Sequence, residues 1–197
     1  MKEPWLLAFS GGPDSTGLAA LLRHRSIVLG YVDHRMRGAA AIRRERADVR
    51  RIATALQLPL LRGRAPDGIA GETDARAARY AVLEAMVRKH GLRGILLAHT
   101  ADDRAETVLL QLERGCGLRG LAALRRRTRV HDIARVRPAL AVRRATLHEA
   151  AAPFAPGRDL SNRATTAARR RRRPHHLPTR GRGVNEQLPR VARAAGH

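Results

Sequence analysis

The sequence predicts an α/β fold in which a doubly wound, mostly parallel sheet carries helices on both faces. Short apolar runs at residues 5–9, 27–32, 58–61 and 95–98 alternate with segments of helical spacing. Strands that alternate with helices in this way pair in parallel through right-handed crossovers. Ligands of such sheets bind beyond the carboxyl ends of the strands, so the residues after each run are the first candidates for a functional site.

Two segments between the runs have a clear apolar helical face. The first face is formed by Ile42, Val49, Ile52, Ala53 and Leu56, and the second by Ala78, Val82, Ala85 and Met86. Gly91 follows His90 and is placed to end the second helix. A further strand is expected around Val136-Arg137-Pro138, which continues the alternation to about residue 150.

The first apolar run ends at a loop of small residues, Ser10-Gly11-Gly12-Pro13-Asp14-Ser15, and helical spacing begins directly after it. The first amides of a helix lack intrachain partners and lie at the positive end of the helix dipole, so they bind anions. The two glycines let the backbone approach a phosphate closely, and the two serines add hydroxyl donors. The loop predicts a nucleotide phosphate site; the alternative is a tight turn whose Ser and Asp only cap the helix.

This loop differs from the two common phosphate-binding sequences. A kinase-type loop needs Lys followed by Ser or Thr after its last glycine, and Asp14 occupies the comparable place. The dinucleotide fingerprint needs a third glycine further along the chain. Because a carboxylate beside a phosphate requires a cation between them, Asp14 is a candidate Mg²⁺ ligand, directly or through water.

Polar side chains also follow the second and fourth runs. Asp33 is interpreted either as a ligand of a metal or of adenosine, or as a turn residue at the end of a strand. Thr100 and Asp103 have the spacing of a capping box at a helix start. Asp103 and Glu106 lie three residues apart, so they share a helix face and are able to clamp a cationic amine. The alternative is a solvated helix end.

The chain is strongly basic, with 39 Lys and Arg residues against 17 Asp and Glu. Residues 119–197 carry 20 of the basic residues and only four acidic ones. This imbalance favours a polyanionic partner, most simply RNA. Codon bias is the alternative; it explains arginine in place of lysine but not the missing acids.

Composition also bounds the class of protein and its organisation. The single cysteine, Cys116, excludes a disulfide framework and a cysteine-rich zinc site, and fits a reducing cytosol. No apolar stretch approaches the length of a membrane span. We expect one α/β domain over residues 1–150. Residues 151–197, which include five consecutive arginines at 169–173, are expected to form a basic C-terminal tail that is partly helical or disordered.

Taken together, the motifs resemble those of the PP-loop ATP pyrophosphatases and, among them, the tRNA(Ile)-lysidine synthases. The similarity is carried by the Ser10–Ser15 string, by Val32-Asp33-His34-Arg35-Met36-Arg37, by Arg76-Ala77-Ala78-Arg79-Tyr80, and by residues 98–107 running on to 114–121. Residues 5–140 resemble that family well, and the resemblance continues weakly through Asp159-Leu160-Ser161-Asn162 and the arginine run.

The resemblance implies a two-step reaction. ATP adenylylates the C2 oxygen of the wobble cytidine in a tRNA(Ile) with a CAU anticodon, and pyrophosphate leaves. The ε-amine of free lysine then displaces AMP. The resemblance further implies ATP and Mg²⁺ as cofactors, a cytoplasmic location and no membrane partner, and it is compatible with a homodimer.

The resemblance also assigns roles to residues. The residues expected at ATP are Ser10, Gly11, Gly12, Pro13, Asp14, Ser15, Asp33 and His99, although a histidine ending a buried strand is, taken alone, more often structural. The residues expected at lysine or in catalysis are Asp102, Asp103 and Glu106. Arg37, Arg76, Arg79 and Arg119 are expected at tRNA or phosphate, the alternative for helical arginines being a solvated face.

Two rival functions stay open at this point. A related PP-loop tRNA thiolase depends on paired cysteines for sulfur transfer or an iron–sulfur cluster, and the chain has one cysteine. A catalytically impaired nucleotide- or RNA-binding module would need the basic tail, but it would gain nothing from clustered carboxylates at residues 102–106.

Overall fold

A six-stranded sheet in the order β3-β2-β1-β4-β6-β5 forms the centre of the fold. The computed structural model describes residues 3–33, 39–67, 71–115 and 124–154, all within one compact unit. The strands are β1 Trp5–Ala8, β2 Ile27–Asp33, β3 Leu60–Arg64, β4 Gly94–Leu96, β5 Arg127–Val130 and β6 Ile133–Val136. The helices are α1 Pro13–Leu22, α2 Ala39–Leu56, α3 Glu72–Lys89, α4 Ala101–Glu113 and α5 Arg144–Ala151, followed by a 3-10 turn, Ala152–Phe154.

Five of these strands run parallel, which confirms the predicted α/β sheet. β1 lies between β2 and β4, and Leu6 pairs with Val28 on one side and with Ile95 on the other. The carboxyl ends of β1, β2 and β4 therefore meet at one edge, where the loop at 10–15, Asp33 and His99 follow their strands.

The β5–β6 hairpin was not predicted from the sequence. β5 pairs antiparallel to β6, and His131 and Asp132 in the turn have positive φ angles of 46° and 63°. Such turns usually use Asn-Gly or Asp-Gly, so His-Asp gave no turn signal. The strand expected around Val136-Arg137-Pro138 is β6, which ends before Arg137.

Helices cover both faces of the sheet. The α1, α2 and α5 helices pack on one face, where Leu18, Ile52 and Leu147 join the core. The α3 helix packs on the other face through Leu83 and Met86. Burial of these apolar side chains is the main stabilising contribution to the fold.

Three of the four residues predicted for the apolar face of α3, Ala78, Val82 and Met86, pack on the core. The fourth, Ala85, is exposed, and the buried face includes Leu83 and Glu84 instead. Glu84 tolerates burial because Arg135 of β6 pairs with it at 2.5 Å and the ring of His131 lies 3.2 Å away. These partners lower the pKa of Glu84 although burial alone would raise it. A charged residue on the core side concealed the true periodicity.

The closest approach between α1 and α5 occurs at Gly17. A Cβ atom at this position would overlap the backbone carbonyl of Leu147. Since backbone cannot move aside as a flexible side chain does, Gly17→Ala is expected to lower the free energy of unfolding by about 2 kcal/mol. Urea denaturation measures this change. Gly91 has a positive φ and open space around it, so Gly91→Ala is the control for a loss of stability that comes from backbone strain without overlap. Equal stability of Gly17→Ala and wild type would contradict the close packing of α1 on α5.

Three groups of sequence predictions lie outside the described residues: Arg37, then Arg119 with Cys116, and residues 155–197 of the expected tail. The division at residues 150 and 151 stays a prediction. None of the helices in the described part of the chain has both the length and the apolar character that a membrane crossing demands.

Candidate active site

The loop after β1 is held open by its own backbone and hydroxyl groups. Gly11 has a φ of +74°, a conformation that favours glycine, and Gly12 is the extended N-cap of α1. The Ser15 hydroxyl accepts a hydrogen bond from the Ser10 amide at 3.3 Å and donates one to the Gly12 carbonyl at 3.0 Å. Pro13 occupies the first helical position, where its missing N–H has no cost.

This geometry leaves the amides of the first turn directed out of α1. Asp14 and Ser15 supply these N–H groups, since a helix has no internal acceptor for them. A Cβ atom on Gly11 would come within 3.0 Å of the Val49 side chain, so the loop and α2 are tightly packed there. The loop thus combines a rigid backbone with the positive end of a helix dipole, the arrangement that binds phosphate.

Asp14 has a partner that the sequence did not reveal. Its carboxylate Oδ1 lies 2.7 Å from Nε2 of His148, which is on α5. The Asp14 side chain keeps 36% of its surface exposed. His148 is 134 residues away in the chain, and the sequence indicated only that the α/β pattern continues there. The packing of α5 on α1 brings the two residues together.

Asp33 is buried at the end of β2 and forms an ion pair with Arg46 of α2. The Arg46 Nε donates to Asp33 Oδ2 at 3.1 Å. Nearby, the Tyr31 hydroxyl donates to Glu45 at 3.1 Å, and burial together with the Glu45 charge raises the pKa of Tyr31. An open cavity of about 270 Å³ lies beside these groups; its lining residues are Tyr31, Asp33, Arg46, Arg62, Gly63 and Arg64. The charge of Asp33 is therefore paired inside the fold.

His99 lies just beyond the end of β4 and is held by a buried arginine. The Arg137 Nε donates to His99 Nδ1 at 3.2 Å. Since Nδ1 accepts, the neutral ring carries its proton on Nε2. Burial lowers the pKa of His99, and the nearby Arg137 charge lowers it further. The ring is thus neutral with a fixed tautomer.

The lowered pKa of His99 makes a prediction about folding stability. As the pH falls below about 6.5, the unfolded chain binds a proton that the folded chain resists, so acid destabilises the fold. We expect His99→Gln, which keeps an acceptor for Arg137, to reduce the loss of stability between about pH 7 and pH 5.5 by up to about 1.4 kcal/mol per pH unit. Urea denaturation at the two pH values checks this; identical pH dependence in both proteins would contradict it.

The predicted capping box at the start of α4 is confirmed. The Thr100 hydroxyl accepts from the Asp103 amide at 3.3 Å, and Asp103 Oδ2 accepts from the Thr100 amide at 2.7 Å. This cap fixes one oxygen of Asp103 and orients the first turn of α4.

The other oxygen of Asp103 shares a cation with Glu106. Arg144 of α5 donates from Nη2 to Asp103 at 2.6 Å and from Nη1 to Glu106 at 3.2 Å. The two carboxylates therefore do clamp a cation on one helix face, and that cation is a guanidinium of the same chain. Arg144 was not predicted as a site residue, because no motif in the sequence around it indicates this contact.

Asp102 points to α5 as well. Its Oδ2 accepts from the Arg144 amide at 2.7 Å, which satisfies a first-turn N–H of α5. This hydrogen bond is the main cause of the lowered pKa of Asp102. Burial alone would raise the pKa of Asp103, but the hydrogen bonds from Thr100 and Arg144 lower it below its usual value. Both carboxylates are therefore ionised at neutral pH.

The α5 helix joins the two halves of the site. Arg144 contacts the carboxylates of α4, and His148, one turn further on, contacts Asp14 in the first turn of α1. Helical residues four apart share a face, so one face of α5 touches both groups. Asp14, Asp102, Asp103 and Glu106 are thus brought to the same edge of the sheet.

The arginines predicted for tRNA or phosphate lie partly beside this edge. Arg76 and Arg79 are exposed on α3, and the guanidinium of Arg76 lies 5.6 Å from the centre of the Tyr80 ring. Arg76 also lies close enough for its charge to lower the pKa of His99. Arg76 therefore belongs to the surroundings of His99.

Comparisons with known proteins agree with this architecture. The chain is 41% identical over 205 residues to a tRNA(Ile)-lysidine synthase of Thermobifida fusca, covering 95% of this chain and 60% of that protein. It is 42% identical over 183 residues to the tRNA(Ile)-lysidine synthase of Bradyrhizobium diazoefficiens, covering 85% of this chain and 50% of that protein. The chain thus spans little more than half the length of these relatives.

Among solved structures, the U34-tRNA thiolase NcsA from Methanococcus maripaludis is similar, with a TM-score of 0.62 and 15% sequence identity. The alignment covers 85% of this chain and 64% of that one. At this identity the likeness shows the fold alone. The model of the PP-loop domain matches residues 1–179. The chain therefore belongs to the PP-loop domain family.

Proposed function

We propose that this chain uses ATP to join lysine to the wobble cytidine of a tRNA(Ile) with a CAU anticodon, through an adenylylated cytidine. The observation that carries the proposal is the placement of an anion-binding loop and a cation-binding carboxylate pair at one edge of the sheet, linked by α5. The reaction needs both, because its leaving group is an anion and its nucleophile arrives as an ammonium ion. The similarity to tRNA(Ile)-lysidine synthases supports this assignment.

The loop after β1 would hold the β- and γ-phosphates of ATP. Its first-turn amides would face the position where negative charge grows as pyrophosphate leaves, and the hydroxyls of Ser10 and Ser15, which lie 3.2 Å apart, would hold the loop in shape. Fixed donors at a growing charge lower the barrier without reorganisation. The cavity beside Asp33, at the carboxyl ends of β2 and β3, would give space for the nucleoside.

Asp14 fits a role as a Mg²⁺ ligand. One oxygen faces His148 at 2.7 Å, and the side chain remains one-third exposed. Mg²⁺ at phosphates takes one or two carboxylates and fills its shell with phosphate oxygens and water, so a single aspartate suffices. Within the described residues no group of three or more His, Cys, Asp or Glu side chains could hold a metal alone, which suits a metal brought by the nucleotide. Bound there, Mg²⁺ would neutralise charge on the leaving phosphates.

Glu106 would be the first contact of the incoming lysine ammonium. It is half exposed, and Arg144 engages only its Oε1 oxygen. Asp103 lies one turn earlier on the same face, with Asp102 beside it. Ion pairing also favours the local presence of lysine over neutral amino acids.

The RNA would approach over α3, where Arg76 and Arg79 are exposed. Both side chains carry charge suited to the RNA backbone. The reaction is proposed for the cytoplasm, where tRNA is available. Formation of a homodimer stays a prediction, as does contact of Arg37 and Arg119 with RNA.

The proposal is tested by incubating the protein with ATP, Mg²⁺, labelled lysine and the CAU-anticodon tRNA, and measuring label in RNA. We expect incorporation that requires ATP and is lost when the wobble cytidine is replaced by uridine. RNA binding with neither pyrophosphate release nor label in RNA would instead support a binding module without catalysis.

A further inference from the structure

A buried arginine beside His99 has no carboxylate partner. Arg137 follows β6 and is only 8% exposed. Its Nη1 donates to the Arg125 carbonyl at 2.8 Å, and its Nε donates to His99. Within the described residues, Arg137 forms no ion pair with a carboxylate, and its Nη2 makes no hydrogen bond.

Neighbouring arginines add charge to this position. Arg76 and Arg135 both lie near enough to lower the pKa of Arg137, whose burial is the largest cause of that shift. Arg135 stacks on the Tyr80 ring at 4.0 Å and is balanced by Glu84 at 2.5 Å. Arg76 also approaches Tyr80 but pairs with no carboxylate among the described residues. Two guanidinium groups, those of Arg76 and Arg137, therefore form no ion pair with a carboxylate in the part of the chain that the structure describes.

A mostly buried cation that has no counter-charge among the described residues favours the binding of an anion. We propose that Arg137, Arg76 and the Nε2–H of His99 form a phosphate-binding site, separate from the loop after β1. Arg137 supplies the buried charge, Arg76 closes the site from α3, and His99 adds a neutral donor whose tautomer Arg137 itself fixes. Guanidinium groups bind phosphate oxygens strongly, because their paired N–H donors match them.

The position of this site restricts the source of the phosphate. β6 lies two strands from β1, about 10 Å along the sheet edge. The pyrophosphate of ATP held at α1 would not reach Arg137 across this distance. Two sources of the phosphate remain: a phosphodiester of the RNA next to the reacting nucleotide, and the phosphate of the AMP group. This inference deepens the proposed function, since it names where the second phosphate of that reaction would be held.

The test uses Arg137→Gln and the exposed-site variant Arg76→Gln, with Arg129→Gln as control. Arg129 lies on β5 and its side chain is 74% exposed. Its substitution by Gln removes the same charge from the same sheet. The probes are inorganic phosphate, AMP and a stem-loop RNA carrying the CAU anticodon. Thermal unfolding reports phosphate binding, and fluorescence anisotropy reports binding of AMP and RNA.

We expect phosphate to raise the unfolding temperature of wild type and of the Arg129 variant more than that of the other two variants. If the source is RNA, both variants bind the stem-loop about tenfold more weakly, and the slope of log affinity against log salt falls by about 0.7 for each lost contact. If the source is AMP, the loss appears with AMP and not with RNA. Since Arg76 is on the surface, its variant stays informative even if Arg137→Gln fails to fold.

The inference is overturned if both variants bind phosphate, AMP and RNA as wild type does. The rise in unfolding temperature caused by inorganic phosphate is measured on the free protein, so it does not depend on the transfer of lysine. A protein that binds phosphate here but never modifies tRNA would therefore refute the proposed function and leave this site intact.

Discussion

Asp14→Asn is expected to slow pyrophosphate release by about 100-fold when ATP and tRNA are present and lysine is absent. Asparagine keeps an oxygen that can face His148, so the contact between α1 and α5 survives while the charge is lost. A neutral side chain holds Mg²⁺ on the leaving phosphates far less well. The rate of pyrophosphate release in a single turnover measures the effect.

The outcome separates two roles of Asp14. If Asp14 only occupied the first turn of α1, removing its charge would relieve repulsion of the phosphates, and release would be unchanged or faster. Asp74→Asn is the matched control, because Asp74 also lies in the first turn of a helix, α3. Normal release by Asp14→Asn would refute its role as a metal ligand.

Glu106→Gln is expected to raise the lysine concentration needed for half-maximal incorporation by about 10- to 100-fold, because a charge-assisted hydrogen bond contributes about 1.5–3 kcal/mol. Pyrophosphate release without lysine should stay unchanged, since the loop after β1 does not contact Glu106. Titration of labelled lysine at fixed ATP and tRNA gives the half-maximal lysine concentration. Pyrophosphate released in the sample without lysine gives the second value.

Glu113→Gln serves as the control, because Glu113 lies on the same helix but away from Arg144. Equal lysine dependence in Glu106→Gln and wild type would remove the carboxylate from the lysine site. Asp103→Asn should show the weaker lysine binding together with a loss of up to about 1 kcal/mol in stability, because it loses the ion pair with Arg144 while its amide oxygen still accepts from the Thr100 amide.

The sequence predicted those parts of the fold whose signal is local. The alternation of apolar runs and helical spacing gave the parallel core, and the Thr100–Asp103 spacing gave the capping box. The β5–β6 hairpin escaped because His131 and Asp132 are unusual turn residues. The predicted face of α3 was right for Ala78, Val82 and Met86 but missed Glu84, which is buried because its partner Arg135 lies on β6, far away in the chain.

The same distinction applies to the candidate site. Asp14, Asp103 and Glu106 were found because each lies in a short motif directly after a strand. Their partners, His148 and Arg144, lie on α5 and are brought to them only by the packing of α5 against α1. Arg137 was visible only as part of an expected strand end; its burial and its missing counter-charge are properties of the folded chain.

A crystal structure with a non-hydrolysable ATP analogue tests the central claim most directly, since every role proposed here depends on the loop at 10–15 holding the nucleotide. We predict that the terminal phosphates lie against the amides of Asp14 and Ser15, within hydrogen-bond distance of the Ser10 hydroxyl. A nucleotide bound elsewhere while this loop stays empty would contradict the account.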